Sequence, residues 1–121
     1  MTVLANRRTT DWNQPYAYRF YFNIYTGNLE FTARGTSVLT PIILVPHPYL
    51  DRWYHLAVVR SGTTYTPYVD GRSMQPWSQD IGSAANTDGL SIGGFKGGEK
   101  FWGEVQEVAI FQQVLRVKLI A

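Results

Sequence analysis

The stretch Trp53–Gly71, with the sequence WYHLAVVRSGTTYTPYVDG, decides the fold class of this chain. Tyr54–Val59 and Tyr65–Val69 are rich in aromatic and β-branched side chains, which favour β-strands. The connection Ser61–Thr64 contains no apolar residue, so the pattern predicts a β-hairpin. Asp70-Gly71 then supplies the positive φ angles that a second tight turn needs. Two hairpins that share a middle strand form a meander, the unit from which antiparallel sheets are assembled.

A further hairpin is predicted upstream, where apolar and polar residues alternate from Tyr16 to Tyr25 and Gly27-Asn28 follows as a turn. Because successive side chains of a strand point to opposite faces, the alternation also predicts which residues face the core. The predicted inward face consists of Tyr16, Tyr18, Phe20, Phe22, Ile24, Leu29, Phe31 and Ala33. The predicted outward face consists of Ala17, Arg19, Tyr21, Asn23, Tyr25, Glu30, Thr32 and Arg34.

The remaining strands are shorter or less regular. Val38–Val45 is almost continuously apolar, but Pro41 cannot donate to a ladder, so this strand is predicted to be at an edge or broken. The other predicted strands are Thr2–Ala5, Arg72–Trp77, Leu90–Gly93 and Phe101–Phe111, and Gln112–Ile120 is predicted as a helical turn or a further strand. Closely spaced strands with turn residues between them predict an all-β protein, an antiparallel sandwich or jelly roll.

Composition limits the function classes. At 121 residues the chain is expected to form one domain, residues 1–121, and 15% of it is aromatic. No cysteine is present, which excludes disulfides and thiolate chemistry. The net charge of +2 gives no support for a nucleic-acid partner, and no apolar run approaches the roughly 18 residues of a membrane span. No signal peptide is visible at the N-terminus, and the compartment stays open.

Four motifs in order resemble the laminin-G-like branch of the concanavalin A-like lectin/glucanase superfamily. They are Trp53–Val59, Tyr68–Gly71, Leu90–Gly93 and Phe101–Phe111, the last followed by Val114-Leu115. The resemblance implies a concanavalin A-like jelly roll and a family that is often extracellular. Members usually have additional strands before the one that resembles Val3–Arg8, so the resemblance predicts a jelly roll lacking some N-terminal strands.

The glucanases of this superfamily carry catalytic carboxylates on one strand in the order Glu-x-Asp-x-x-Glu. Placed on Glu104, that pattern requires acids at positions 106 and 109, where this chain has Gln106 and Ala109. Glu107 is three residues from Glu104, so in a regular strand the two side chains point to opposite faces. They cannot flank one glycosidic bond, and we therefore expect no enzymatic activity.

A metal centre is not predicted either. His47, between two prolines, is predicted to lie on the loop surface, and His55 is predicted to be a packed, hydrogen-bonded strand residue. The two histidines lie apart in the sequence and do not complete a set of three or four ligands. Laminin-G-like domains often bind calcium through loop aspartates, and the candidates here are Asp11, Asp51, Asp80 and Asp88. None of these has a recognisable ligand spacing, so we interpret them as solvated turn residues and expect no metal and no cofactor.

Aromatic residues in or beside loops are the most informative functional signal. They are Trp12, Tyr49, Trp77, Phe95 and Trp102. Flat aromatic faces stack on sugar rings, whereas the alternative is that these side chains cover the ends of the sandwich. The sequence thus predicts a non-catalytic recognition module for a glycan, with two alternatives: a protein–protein or self-assembly domain, and an inactive fragment of a glycosidase-like protein.

A homo-oligomer, most simply a two-fold dimer, is predicted from the closing strand. A jelly roll without its first strands leaves Val105–Phe111 without its usual neighbour, and an unpaired apolar edge favours pairing with another chain. The tail Val114–Ile120 is an alternative cover for that edge within one chain.

Overall fold

The computed structural model describes residues 2–6, 18–82, 90–92 and 103–110. Nine strands are described, in chain order β1 Thr2–Asn6, β2 Arg19–Asn23, β3 Asn28–Thr32, β4 Ile42–Pro46, β5 Leu56–Ser61, β6 Thr64–Val69, β7 Arg72–Ser73, β8 Trp77–Ser78 and β9 Leu90–Ile92. None of the described residues is helical. Positions 1, 7–17, 83–89, 93–102 and 111–121, and with them the predicted helical turn or strand at Gln112–Ile120, lie outside the described residues.

Two antiparallel sheets form the domain. The first has the strand order β4-β3-β2-β1-β9, and the second has the order β5-β6-β7, with β8 also paired to β6. Residues from both sheets share one core: the ring centroids of Phe31 in β3 and Tyr65 in β6 are 6.1 Å apart. The two sheets therefore pack face to face as a β-sandwich, which confirms the predicted fold class.

The predicted hairpins are both present. β2 and β3 pair in register from Arg19↔Thr32 to Asn23↔Asn28, and β5 and β6 pair from Leu56↔Val69 to Ser61↔Thr64. Asp70 and Gly71 form the second turn of the meander with φ angles of 51° and 80°, as the Asp-Gly pair predicts.

The core consists of buried apolar side chains from both sheets and from the segments that join them. Its members are Phe31, Ala33, Leu39, Leu44, Tyr65 and Ile81, and Leu39 is completely buried. Phe20 packs edge-on against Phe31, with ring centroids 4.9 Å apart. Phe31 and Ala33 come from the predicted inward face, and Tyr18 and Phe20 pack against the same cluster.

The prediction of an outward polar face on β2 and β3 is wrong. Arg19, Tyr21, Glu30 and Thr32 are all less than a tenth exposed, whereas Ile24, predicted as core, is 63% exposed in the turn. A hydrogen-bond network makes this burial tolerable, because each Glu30 carboxylate oxygen accepts at least one bond. The Tyr21 hydroxyl donates to Glu30 Oε1 at 2.8 Å, and the Thr26 hydroxyl donates to Oε2 at 2.9 Å.

Two predicted strands also differ. The single strand expected at Arg72–Trp77 is split into β7 and β8, because the backbone bulges at residues 74–76, where Pro76 has no N–H to donate. The closing strand expected at Phe101–Phe111 is absent over its described part: residues 103–110 are exposed and pair with no described strand. Glu107 has a φ of 56°, which interrupts a regular extended conformation.

Candidate functional site: an aromatic cleft at the margin of the sandwich

Two of the five predicted aromatic site residues can be placed. Trp12, Phe95 and Trp102 lie outside the described residues. Tyr49 is 74% exposed in the loop between β4 and β5, where its backbone N–H donates to the Tyr54 hydroxyl at 2.9 Å. Trp77 is 44% exposed and begins β8.

Strand pairing fixes the direction in which Trp77 points. β8 pairs with β6 so that Trp77 is directly opposite Tyr65. Directly opposite residues of an antiparallel pair project to the same face, and Tyr65 belongs to the core between the sheets. The indole therefore projects towards the first sheet, but from a short marginal strand, where the space between the sheets opens to solvent.

Gln79 holds the indole in place. Its carboxamide oxygen accepts from Trp77 Nε1 at 3.0 Å and from the Thr40 N–H at 2.9 Å, while its Nε2 donates to the Val38 carbonyl at 3.0 Å. The backbone N–H of Gln79 donates to the Thr63 carbonyl at 2.9 Å. One side chain thus ties the second sheet to the strand-like segment before β4 and fixes the orientation of Trp77.

A cleft of about 270 Å³ opens beside this indole. Residues 40–43, from the segment before β4 and the start of that strand, line one side of the cleft. Residues 74–77, from the bulge and the start of β8, line the other side, and Pro67 of β6 completes it. Ile43, Met74 and Trp77 are each between 40% and 51% exposed, so the apolar surface is accessible from solvent. Thr40 and Gln75 supply the polar side chains among the lining residues.

The lining of this cleft is uncharged and mostly apolar. None of the described residues that line it is an acid, a histidine, a lysine, an arginine or a serine. What the cleft presents instead is a flat aromatic face, aliphatic walls and two uncharged polar side chains.

Of the acidic residues considered in the sequence, Glu104, Glu107, Asp51 and Asp80 can be placed, whereas Asp11 and Asp88 lie outside the described residues. Glu104 and Glu107 lie in the exposed segment 103–110. Asp51 is an exposed turn residue with a φ of 58°, and Asp80 Oδ1 accepts from the Gly82 N–H at 2.9 Å, as expected for turn aspartates. No cluster of three metal-ligating side chains occurs among the described residues.

The two histidines differ from each other. His47 is an exposed loop residue, as predicted, and its backbone N–H donates to Asn28 Oδ1 at 3.2 Å. His55, expected as a packed strand residue, is exposed and precedes β5, and its backbone N–H donates to Asp70 Oδ1 at 2.9 Å. None of the described residues belongs to a helix long and apolar enough to cross a membrane.

Sequence reasoning found Trp77 but not its surroundings. The sequence does not point to Gln79, because its partners are distant along the chain. Val38 lies 41 positions before it and Thr40 lies 39 positions before it. Met74 and Ile43 were not separable from other apolar residues of their strands. Tyr49, which was grouped with Trp77, does not line the cleft.

A laminin G family model, described as the Concanavalin A-like lectin/glucanases superfamily, matches residues 2–121. The chain belongs to this superfamily, as the four motifs and the two-sheet sandwich together indicate. Neither the curated proteins nor the solved structures give a significant match. Membership supports a lectin-like or binding module in general terms, since one fold of this kind serves many functions.

Proposed function

We propose that this domain is a non-catalytic recognition module and that the cleft beside Trp77 binds carbohydrate. The proposal depends on one observation: the indole of Trp77 is exposed to solvent and also has a fixed orientation. Trp77 is 44% exposed, yet its Nε1–H is bonded to Gln79. A ring that is already held in place loses little conformational entropy when a ligand stacks on it.

The lining suits the two kinds of surface that a sugar ring presents. The C–H face of a pyranose stacks on the indole and against Ile43 and Met74, while its hydroxyls meet Thr40 and Gln75 at the rim. Ligand sites generally combine a mostly apolar concave surface with a few polar groups that fix orientation. The uncharged lining favours a neutral sugar over a sialic acid or a uronic acid.

The size of the cleft limits the ligand. Its volume of about 270 Å³ lies just below the range of small-molecule sites, which begins at roughly 300 Å³. One sugar ring is therefore accommodated in the cleft, with any neighbouring residues of the glycan extending over the surface.

A glycan array tests the proposal. The wild-type chain is expected to bind a subset of glycans with a shared neutral terminal residue. For each such glycan, Trp77→Ala is expected to weaken binding by about 5- to 30-fold, the effect of losing an aromatic anchor worth roughly 1–2 kcal/mol. Tyr49→Ala is the matched control, because Tyr49 is an exposed aromatic residue outside the cleft.

Two results would contradict the proposal. One is the absence of binding to any glycan by the folded wild-type chain. The other is equal binding by wild type and Trp77→Ala, measured at the same concentration with the circular dichroism spectrum of the variant unchanged.

A further inference from the structure

The end of the sandwich opposite the Trp77 cleft is formed by three connections between strands. The Gln79 side chain accepts from the Thr40 N–H just before β4, and the Gln79 N–H donates to the Thr63 carbonyl just before β6. Strands β4 and β6 therefore begin at the same end of the domain, beside the cleft, and finish at the other end. The connections at this far end are the turn 24–27, the loop 47–55 and the turn 70–71.

Large apolar side chains are exposed on these connections. Together they form an apolar tip, which consists of Ile24, Tyr25, Tyr49, Leu50 and Trp53. Tyr25 and Leu50 are more than nine-tenths exposed, and the other three are more than half exposed. The tip holds five of the twelve exposed large apolar side chains found among the described residues, and such a concentration at one end marks an interaction surface.

Polar contacts hold the loop between β4 and β5 in the conformation that exposes its apolar side chains. The Tyr49 N–H donates to the Tyr54 hydroxyl at 2.9 Å, and the His55 N–H donates to Asp70 Oδ1 at 2.9 Å. Arg52 pairs with Asp70 at 3.5 Å, and its guanidinium carbon lies 4.9 Å from the centroid of the Tyr54 ring. The polar groups of the loop thus bind it to the turn after β6, while its apolar side chains stay in solvent.

Backbone strain is concentrated at the same end. Three of the four non-glycine residues with positive φ among the described residues are His47, Asp51 and Asp70, with φ angles of 45°, 58° and 51°. The left-handed region costs free energy for residues that carry a Cβ, and such residues concentrate at functional sites. Leu50 is therefore exposed on a loop whose backbone is strained before it at His47 and after it at Asp51.

The size and shape of the apolar tip distinguish a lipid surface from a protein partner. A stable protein–protein interface uses roughly 20–30 residues and about 800 Å² on each side, and its anchors fit into closely packed pockets. The tip offers five apolar side chains, and two of them project almost completely from the surface. Two copies of so small a convex tip cannot bury each other's side chains, whereas a fluid bilayer encloses projecting side chains without a matching pocket.

Residue types and charge at the apolar tip specify the kind of lipid surface. Tyr and Trp concentrate at the headgroup level of bilayers, and Leu and Ile favour the acyl chains below it. With histidine neutral, the charges of Asp51 and Asp70 are balanced by those of Arg52 and Arg72. Attraction to anionic lipids requires an excess of basic side chains, so the chemistry that fits is a zwitterionic headgroup layer such as phosphatidylcholine.

We propose that the apolar tip inserts into the headgroup layer of a zwitterionic bilayer and anchors the domain to the membrane surface. Apolar side chains that bind in this way reach about 5–10 Å into the boundary between headgroups and acyl chains. Trp77 lies opposite Tyr65 near the start of β6, roughly 13 Å from Val69 at the end of that strand, at about 3.3 Å per residue. The cleft therefore stays accessible above the membrane, and lipid binding does not depend on the proposed carbohydrate binding.

Flotation with phosphatidylcholine vesicles tests the proposal. The wild-type chain is expected to bind with a partition constant on the order of 10⁴ M⁻¹, comparable to one myristoyl chain, so about 1 mM lipid binds most of it. Leu50→Ala and Trp53→Ala are each expected to weaken this binding by about 5- to 20-fold, since each removes inserted apolar area. Trp77→Ala is the matched control, because it removes an exposed tryptophan at the other end of the sandwich and is expected to leave vesicle binding unchanged.

Quenching by brominated phosphatidylcholine identifies the tryptophan that enters the bilayer. Vesicle-dependent quenching of the intrinsic fluorescence is expected for the wild type and for Trp77→Phe. It is expected to be lost in Trp53→Phe, which keeps an apolar ring at this position and still binds the vesicles. Because Leu50 and Trp53 are exposed, their variants are expected to keep the wild-type circular dichroism spectrum.

Three results would overturn the proposal. One is flotation that is absent for the folded wild-type chain or unaffected by both Leu50→Ala and Trp53→Ala. Another is binding that requires anionic lipid and disappears at high salt, which is the behaviour of a basic patch. The third is self-association in the absence of lipid that the same two substitutions abolish, which would assign the apolar tip to a second copy of the chain.

Discussion

The side chain of Gln79 accepts a hydrogen bond from the indole Nε1 of Trp77 at 3.0 Å. The same carboxamide also bonds Thr40 and Val38 in the segment before β4. Gln79, which orients the proposed binding surface, therefore also links the end of β8 to the segment before β4. Binding and stability are expected to change together when Gln79 is replaced.

Gln79→Ala removes three side-chain hydrogen bonds and is expected to lower the free energy of unfolding by about 1–3 kcal/mol. Urea denaturation measures this difference. Gln75→Ala is the matched control, because Gln75 lies in the neighbouring bulge, is exposed and has no described hydrogen bond. Its effect is expected to stay within about 0.5 kcal/mol. Equal effects of the two substitutions would show that the hydrogen bonds of Gln79 contribute nothing.

Two leucines at opposite extremes of burial test the position of the core. Leu39 is completely buried between the sheets, whereas Leu50 is 91% exposed in the loop before β5. Leu39→Ala is expected to destabilise the domain by about 2–5 kcal/mol, because it removes buried methyl groups and leaves a cavity. Leu50→Ala is expected to change stability by less than about 0.5 kcal/mol. Thermal or urea unfolding measures the stability of both variants. A larger loss of stability in Leu50→Ala than in Leu39→Ala would refute the described packing.

The buried network on β2 and β3 is expected to be energetically coupled. Tyr21→Phe removes the donor to Glu30, and Glu30→Gln removes the charged acceptor. Each single substitution is expected to cost about 1–3 kcal/mol, since a buried polar group loses a partner. The double variant is expected to cost at least about 0.5 kcal/mol less than the two single costs added together. Strict additivity in the urea-unfolding cycle would mean that the two side chains do not interact in solution.

A comparison of alanine substitutions at Gly82 and Gly62 distinguishes the cost of steric conflict from the cost of backbone strain. Both have positive φ, 75° and 61°, but a Cβ at Gly82 would meet the Thr36 side chain, whereas a Cβ at Gly62 would meet nothing within 4 Å. Alanine at either position is strained by about 1 kcal/mol. Gly82→Ala is expected to cost at least a further 1 kcal/mol from overpacking, measured as the difference in unfolding free energy between the two variants. A smaller cost at Gly82 would contradict the approach of Thr36.

Local patterns predicted the elements of this fold well. The hairpins, the interruption near Pro41 and the Asp70-Gly71 turn depend on residues within a few positions of each other. The burial of Arg19 and Glu30 could not be predicted, because alternation alone assigns polar residues to solvent. Their burial depends on hydrogen bonds across strands, such as the one between Tyr21 and Glu30, which a single-strand pattern does not record.

The candidate site was predicted only in part for a related reason. Trp77 stood out as an aromatic residue beside a loop. Its proposed function as a stacking platform depends on Gln79, on the first sheet and on the bulge at 74–76, which are brought together by the packing of two sheets. The closing strand was predicted from its composition, but strand formation also requires a neighbour, and none of the described strands provides one for residues 103–110.

Carbohydrate binding beside Trp77 is tested by a nuclear magnetic resonance titration that follows the indole Nε1–H signal of this residue. The chain has four tryptophans, and Trp77→Phe assigns the signal by its disappearance. A neutral glycan selected from the array is expected to shift this signal in a saturable manner, with smaller changes at Thr40 and Gln75. Saturable binding that leaves the Trp77 signal and the signals of residues 40–43 unmoved would contradict the assignment of the cleft as the carbohydrate site.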